Sequence, residues 1–115
     1  MKSPLFPVAA RDGAKAGQRV LTLGGPLDMA SVPDFLRAVR EETAPVIIID
    51  FSKVSFIDST GVGALIQLLP AFQRGWRKLA LTSVGHRVMA VMELTRVKTL
   101  FSIFSSLTDA EQSLS

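Results

Sequence analysis

The chain has 115 residues with 48% apolar and 20% charged side chains, which excludes disorder and fits a single domain, residues 1–115. Its net charge of +3 comes from 13 Lys and Arg against 10 Asp and Glu, spread along the chain and clustered only at Arg74, Arg77 and Lys78. With 7% aromatics and no Tyr, that pattern argues against direct nucleic-acid binding.

Residues 4–10 can form an edge strand, because Pro4 and Pro7 are tolerated only where the ladder is one-sided. Asp12-Gly13 has turn chemistry and returns the chain as a hairpin into a second strand, Val20-Leu21-Thr22-Leu23. Gly24-Gly25-Pro26 stops that strand, and Leu27 and Asp28 form a short joint before the first helix. Ser31 is its expected N-cap, with Pro33 in the first turn, where the missing N–H costs nothing. Val32, Phe35, Leu36 and Val39 then recur at helical spacing. The third strand, residues 46–51, is apolar at consecutive positions, so both of its faces should be covered.

A second helix is expected from about Gly61 through Ala64, Leu65, Leu68 and Leu69. Pro70 removes one backbone bond and should bend that helix or end its regular part. Arg74-Gly75 marks its C-terminal turn, and Leu79-Ala80-Leu81 reads as a short fourth strand. The third helix carries Val88, Met89, Val91, Met92 and Leu94 on its expected inner side. A fifth strand or extended piece at residues 100–104 precedes a last helix opened by Thr108, with Glu111 completing a capping box. Alternating strands and helices after an initial hairpin predict an α/β domain. Its mixed, mostly parallel sheet should have four to five strands, with about four helices.

Phe56-Ile57-Asp58-Ser59-Thr60-Gly61-Val62-Gly63 is the segment richest in chemistry. It sits where a buried strand hands over to a helix N-terminus, a place that gathers backbone N–H groups and favours negative charge. Enzyme readings fail on it. A nucleophile elbow needs Gly two positions before Ser, and Ile57 stands there. His86 is the only histidine, far from Ser59 in sequence, and reads as a surface or capping residue. The dinucleotide fingerprint lacks its third Gly, having Ile66, and no Gly-Lys-Ser or Gly-Lys-Thr triplet exists for a P-loop. No loop shows calcium spacing, and the absence of Cys removes thiolate metal sites and disulfides. No catalytic residue, metal or cofactor is therefore expected.

Helix capping alone accounts for part of this turn: Ser59 would accept the N–H of Gly61 or Val62, with Asp58 adding charge at the positive helix end. Gly61 and Gly63 each cost up to about 1 kcal/mol relative to Ala in a helix. They make better sense where another surface approaches the backbone closely. Capping alone and capping combined with recognition both remain open on these residues.

The chain resembles the STAS domain, named for sulfate transporters and anti-sigma factor antagonists, over about residues 4–114. It looks most like the short stand-alone bacterial antagonists. The resemblance rests on Gly25, Leu27 and Asp28 in the first joint and on the strand-turn-helix run from Ile48 to Gly63. It implies an anti-sigma factor antagonist whose Ser59 is phosphorylated by an anti-sigma factor that is itself a serine kinase. The unmodified form would bind that kinase and free the sigma factor, and a serine phosphatase would restore it. Asp28, Asp58, Ser59, Thr60, Gly61 and Gly63 are the partner-binding residues that the resemblance implies. A non-switching scaffold subunit of a membrane-transport or stress-signalling complex is the competing reading within the same family. Nucleotide binding by the turn is a third.

Three positions depart from the family pattern: Thr60 where many antagonists have Ser, Pro70 in the second helix, and Arg96 where Gly is frequent after the third. With Arg96 there, that helix is expected to close by another route than the usual glycine turn. No apolar leader follows Lys2, and no apolar run approaches the roughly 20 residues needed to span a bilayer. A cytoplasmic location without membrane insertion is the expectation.

Overall fold

Val46 to Ile49 are all buried, and this apolar run forms the middle strand of the sheet in the computed structural model, which describes residues 6–115. The elements are β1 (Val8–Asp12), β2 (Gln18–Leu23), α1 (Val32–Arg40), β3 (Val46–Asp50) and α2 (Ser59–Arg74). They continue as β4 (Lys78–Thr82), α3 (His86–Leu94), a short 3-10 turn (Lys98–Leu100), β5 (Ser102–Phe104) and α4 (Leu107–Ser113). The sheet has five strands in the order β1-β2-β3-β4-β5. Only β1 runs antiparallel, against β2; each later pair is parallel. The expected mixed, mostly parallel α/β architecture is the one found.

Alternation along the strands divides the core in two. Leu21, Ile47, Ile49, Leu79 and Leu81 point to one face and pack against α1, α2 and α3 through Phe35, Leu65, Phe72, Val88 and Met92. Val20, Val46 and Ile48 point to the other face, which Ala110 of α4 covers with Leu107 and Leu114. Gln18 ties α4 down: its side-chain amide donates to the carbonyls of Glu111 (2.9 Å) and Leu114 (2.6 Å). Being buried, that amide would be costly to leave unpaired.

Several local expectations need correction. The first strand starts at Val8, not Pro4, which lies outside the described residues; the Pro7 carbonyl instead accepts the Gly24 N–H at 2.9 Å. The second helix starts at Ser59 and continues through Pro70 to Arg74, so the proline does not end it. Ile66, whose carbonyl loses its partner there, and Pro70 are both exposed, so water can serve that carbonyl, while buried Phe72 anchors the last turn. Leu94 is exposed rather than inward: Val88 and Met92 form the buried seam of α3, and half-buried Val91 packs beside them. The last helix is capped by Ser106, whose Oγ accepts the Asp109 N–H at 3.1 Å. Glu111 turns away to accept the Ala14 N–H at 2.9 Å.

The helix C-termini differ as well. The Val97 N–H bonds to the Met92 carbonyl (3.0 Å) and the Arg96 N–H to that of Glu93 (3.1 Å), with Arg96 at φ 60. This is the closure usually made by Gly, carried out with Arg in the left-handed conformation, so α3 does not close by another route. Helix α2 closes alike, Arg77 N–H to Phe72 O (2.9 Å) and Trp76 N–H to Gln73 O (3.2 Å). Gly75 falls one position early, with φ −87, and Trp76 takes the left-handed position at φ 56.

Candidate functional site

The carboxyl ends of parallel strands are where open α/β sheets place their sites, and β2 and β3 deliver both sequence motifs there side by side. Leu27 and Ile57 form a parallel bridge beyond the ends of the two strands. Leu27 N–H donates to the Phe56 carbonyl (3.1 Å), and Asp58 N–H donates to the Leu27 carbonyl (3.3 Å). Asp28 and Asp58, thirty residues apart in the chain, thereby become neighbours in one surface.

Each carboxylate is held by backbone N–H groups. Asp28 Oδ1 accepts from Ala30 (3.0 Å) and Ser31 (3.1 Å), which turns the chain into α1. Ser31, the expected cap of that helix, has its own backbone in the helical region and makes no capping bond. Its buried hydroxyl accepts the Asp28 N–H (2.9 Å) and donates to the Pro26 carbonyl (2.8 Å), so it braces the joint.

Asp58 uses both oxygens. Oδ1 accepts the Gly61 N–H at 2.9 Å as the N-cap of α2, and Oδ2 accepts the Met29 N–H at 3.1 Å from the other joint. Its backbone is extended (φ −104, ψ −176), the conformation a capping residue needs. Ser59 is thus the first helical residue, not the cap. Its side chain is exposed and makes no hydrogen bond among the described residues. Thr60 is exposed beside it.

The two glycines have different roles. A Cβ on Gly61 would meet the Leu27 carbonyl oxygen and, at 2.7 Å, Ile57 Cγ1. Its missing side chain is therefore used inside the fold, letting α2 start directly against the bridged joint, and Gly61 is buried rather than open to a partner. A Cβ on Gly63 would meet nothing within 4 Å, and this residue is exposed. Only Gly63 fits the expectation of bare backbone facing outward.

Three apolar side chains missed by the sequence reading lie near this turn. Met29 is 73% exposed, while Phe56 and Ile66 are each 38% exposed. Met29 follows Asp28 and donates its backbone N–H to Asp58; Phe56 precedes bridged Ile57; Ile66 stands one helical turn beyond Gly63. The signal for Ile66 was its position three residues after Gly63 on the unburied side of α2. His86 is exposed at the first position of α3 and makes no capping bond. Among the described residues, no group of three or more His, Asp or Glu could hold a metal ion. The arrangement is a surface of fixed carboxylates, a free hydroxyl, bare helix backbone and apolar side chains. Such a surface can dock a protein and can accept a charged modification.

Comparison with known proteins gives the family and the fold. The STAS domain family model matches residues 8–110. An anti-sigma-B factor antagonist of Staphylococcus aureus is 30% identical over 84 residues, 70% of this chain and 78% of the relative. A crystal structure described as a putative anti-sigma factor antagonist from Thermotoga maritima superposes with a TM-score of 0.82 at 21% identity, covering 95% of this chain and 93% of that one. The phosphorylated form of a Bacillus cell fate determinant superposes with a TM-score of 0.66 at 17% identity, covering 94% of this chain and 100% of the other.

Proposed function

The chain belongs to the STAS domain family, and we propose that it is an anti-sigma factor antagonist switched by phosphorylation of Ser59. The unphosphorylated form binds an anti-sigma serine kinase and releases the sigma factor; phosphorylation ends the binding, and a serine phosphatase resets it. The chain acts as a cytoplasmic binding protein and as the kinase's substrate, not as an enzyme.

The observation that carries this reading is the division of labour between Asp58 and Ser59. Asp58 caps the helix and ties the two joints, leaving an exposed hydroxyl with no structural duty at the first position of α2. A kinase can take that hydroxyl without unwinding the helix. The added phosphate carries about −1.5 to −2 charges and sits where the helix N-terminus favours an anion. Asp28 and Asp58 then stand beside it, so a partner fitted to the free hydroxyl, Thr60 and the open backbone of Gly63 meets bulk and negative charge. Gly61 acts beneath this surface by letting the helix reach the joint.

Incubation with the cognate anti-sigma kinase and ATP, followed by peptide mass spectrometry, should place one phosphate on Ser59. Ser59→Ala should keep kinase binding and lose phosphorylation. Phosphate at another residue refutes the Ser59 assignment. Equal kinase affinity before and after modification refutes the switch and leaves the non-switching scaffold as the function.

A further inference from the structure

The Ser59 surface occupies one end of the molecule, and the opposite end has a different chemistry. There, where α1, α2 and α3 finish, three large apolar side chains stand in solvent: Trp76 (92% exposed), Leu94 (83%) and Leu100 (52%). The three helices pack on one face of the sheet and each returns the chain to the start of a parallel strand, so their C-terminal turns lie at the same end of the sheet. Exposed cations surround the apolar tips. Arg40 ends α1, Arg74 stands two residues before Trp76, and Arg96 and Lys98 stand between Leu94 and Leu100, whereas Lys78 turns to the α4 face and donates to the Ser115 carbonyl at 3.4 Å. Of the carboxylates on these turns, Glu42 is held by Arg19 at 3.0 Å and Glu93 by Lys98 at 3.2 Å, leaving Glu41 against the remaining cations.

The backbone supplies an independent observation. Trp76 and Arg96 occupy the left-handed positions that close α2 and α3, at φ 56 and 60. L side chains resist that conformation, and Gly is the usual occupant. Gly75 is available one residue away but does not take it. With 92% of its surface exposed, Trp76 gains almost no internal packing in return for this strain. Arg77, next to it, faces inward instead, donating to the carbonyls of Ala44 (3.0 Å) and Glu42 (2.8 Å) with its guanidinium 4.3 Å from the centre of the Phe72 ring.

We infer that this end is a peripheral docking surface for an anionic lipid bilayer. Apolar tips on separate turns can each enter a soft interface independently, whereas a folded partner would need a matched cavity for each. An indole ring favours the headgroup level, and Arg and Lys at the same depth meet lipid phosphates. No described helix is long and apolar enough to cross a membrane, so the association is adsorption. The Ser59 surface then faces away from the bilayer and stays open to its partners.

Trp76 is the only tryptophan, so its emission reports directly on this surface. Vesicles of equal parts phosphatidylglycerol and phosphatidylcholine should shift that emission to the blue and co-sediment the protein at low salt. Phosphatidylcholine alone should do neither, and added salt should reverse the binding. Arg96→Ala should weaken vesicle binding about fivefold, the loss expected for one cation near an anionic surface. Leu94→Asp should weaken it further while keeping the fluorescent probe. Trp76→Gly should raise the melting temperature by about 4–8 °C, by relieving the left-handed backbone, yet lose co-sedimentation. No shift with anionic vesicles, or an equal shift with neutral ones, overturns the inference. A shift of the same size with polyglutamate assigns the surface to an acidic protein and also overturns it. A concentration-dependent shift without lipid assigns it to self-association, with the same consequence.

Discussion

Substituting Ala for each of the two glycines that open α2 should move stability in opposite directions. At Gly63 the new methyl enters open space, so only helix propensity counts, a gain of about 1 kcal/mol. At Gly61 the same gain is overridden. The new Cβ would fall well inside the contact distance of about 3.3 Å to the Leu27 carbonyl oxygen. That oxygen also accepts the Asp58 N–H at 3.3 Å, so its retreat strains the bridge between Leu27 and Ile57. Overpacking costs about 1–3 kcal/mol and a lost hydrogen bond about 0.5–1.5, which leaves Gly61→Ala destabilised by about 2 kcal/mol. At roughly 4 °C per kcal/mol for a domain of this size, the melting temperature falls by about 8 °C for Gly61→Ala and rises by about 4 °C for Gly63→Ala. Thermal and urea unfolding followed by far-ultraviolet circular dichroism would measure both; Trp76, 92% exposed, is a poor folding probe. A Gly61→Ala protein as stable as the parent would refute the assignment of that glycine to internal packing. A destabilised Gly63→Ala would refute the open-space reading.

Two further substitutions test how the joints and the sheet are held. Asp58→Ala removes the acceptor of two backbone N–H groups and should cost about 2 kcal/mol in urea unfolding. Ser59→Ala, which removes a hydroxyl without partners, should stay within about 0.5 kcal/mol of the parent. A reversed order would return the capping role to Ser59. Thr82 is fully buried at the end of β4 with a hydroxyl that has no hydrogen-bond partner, so Thr82→Val should stabilise the protein by about 1 kcal/mol. A loss on thermal unfolding would show that the hydroxyl is satisfied in solution.

The sheet was legible because Val46 to Ile49 form an unbroken apolar run, which only a strand covered on both sides requires. The order of elements followed from the alternation of such runs with helical spacing. Caps were less legible, since Asp58 and Ser59, or Ser106 and Thr108, are both chemically competent. The choice depends on which residue is extended when the helix starts, a property of the incoming strand and not of the side chain. Pro70 does not end the helix, the second of its two expected effects: propensity counts the lost hydrogen bond but not the packing of Phe72 beyond it. Arg96 and Trp76 were opaque for the opposite reason: nothing in composition shows that a bulky residue will occupy a left-handed turn with Gly75 adjacent. Asp28, Asp58 and the Ser59 turn were found as motifs. Their union through the bridge between Leu27 and Ile57, and the apolar neighbours Met29 and Phe56, needed three dimensions.

The magnitudes at Ser59 explain why a phosphate there would act on partners more than on the fold. Placed on the first residue of α2, it gains from the helix N-terminus, about 0.3–1 kcal/mol at an exposed site. It is opposed by the neighbouring Asp58 carboxylate, a like-charge interaction of about 1 kcal/mol per unit charge at 4 Å in water. With about −1.5 to −2 charges on the phosphate, the balance is a net cost of about 1 kcal/mol, and the bonds from Asp58 to Gly61 and Met29 use a different residue from the one modified. In a protein interface the solvent that weakens the repulsion is expelled. The same charges then interact across a lower dielectric, and an unpaired phosphate must also be desolvated. The repulsive contribution grows severalfold while the helix-end contribution is already present in the free protein. A modification that costs the fold only about 1 kcal/mol therefore becomes strongly unfavourable for docking, because Asp58 rather than Ser59 holds the helix.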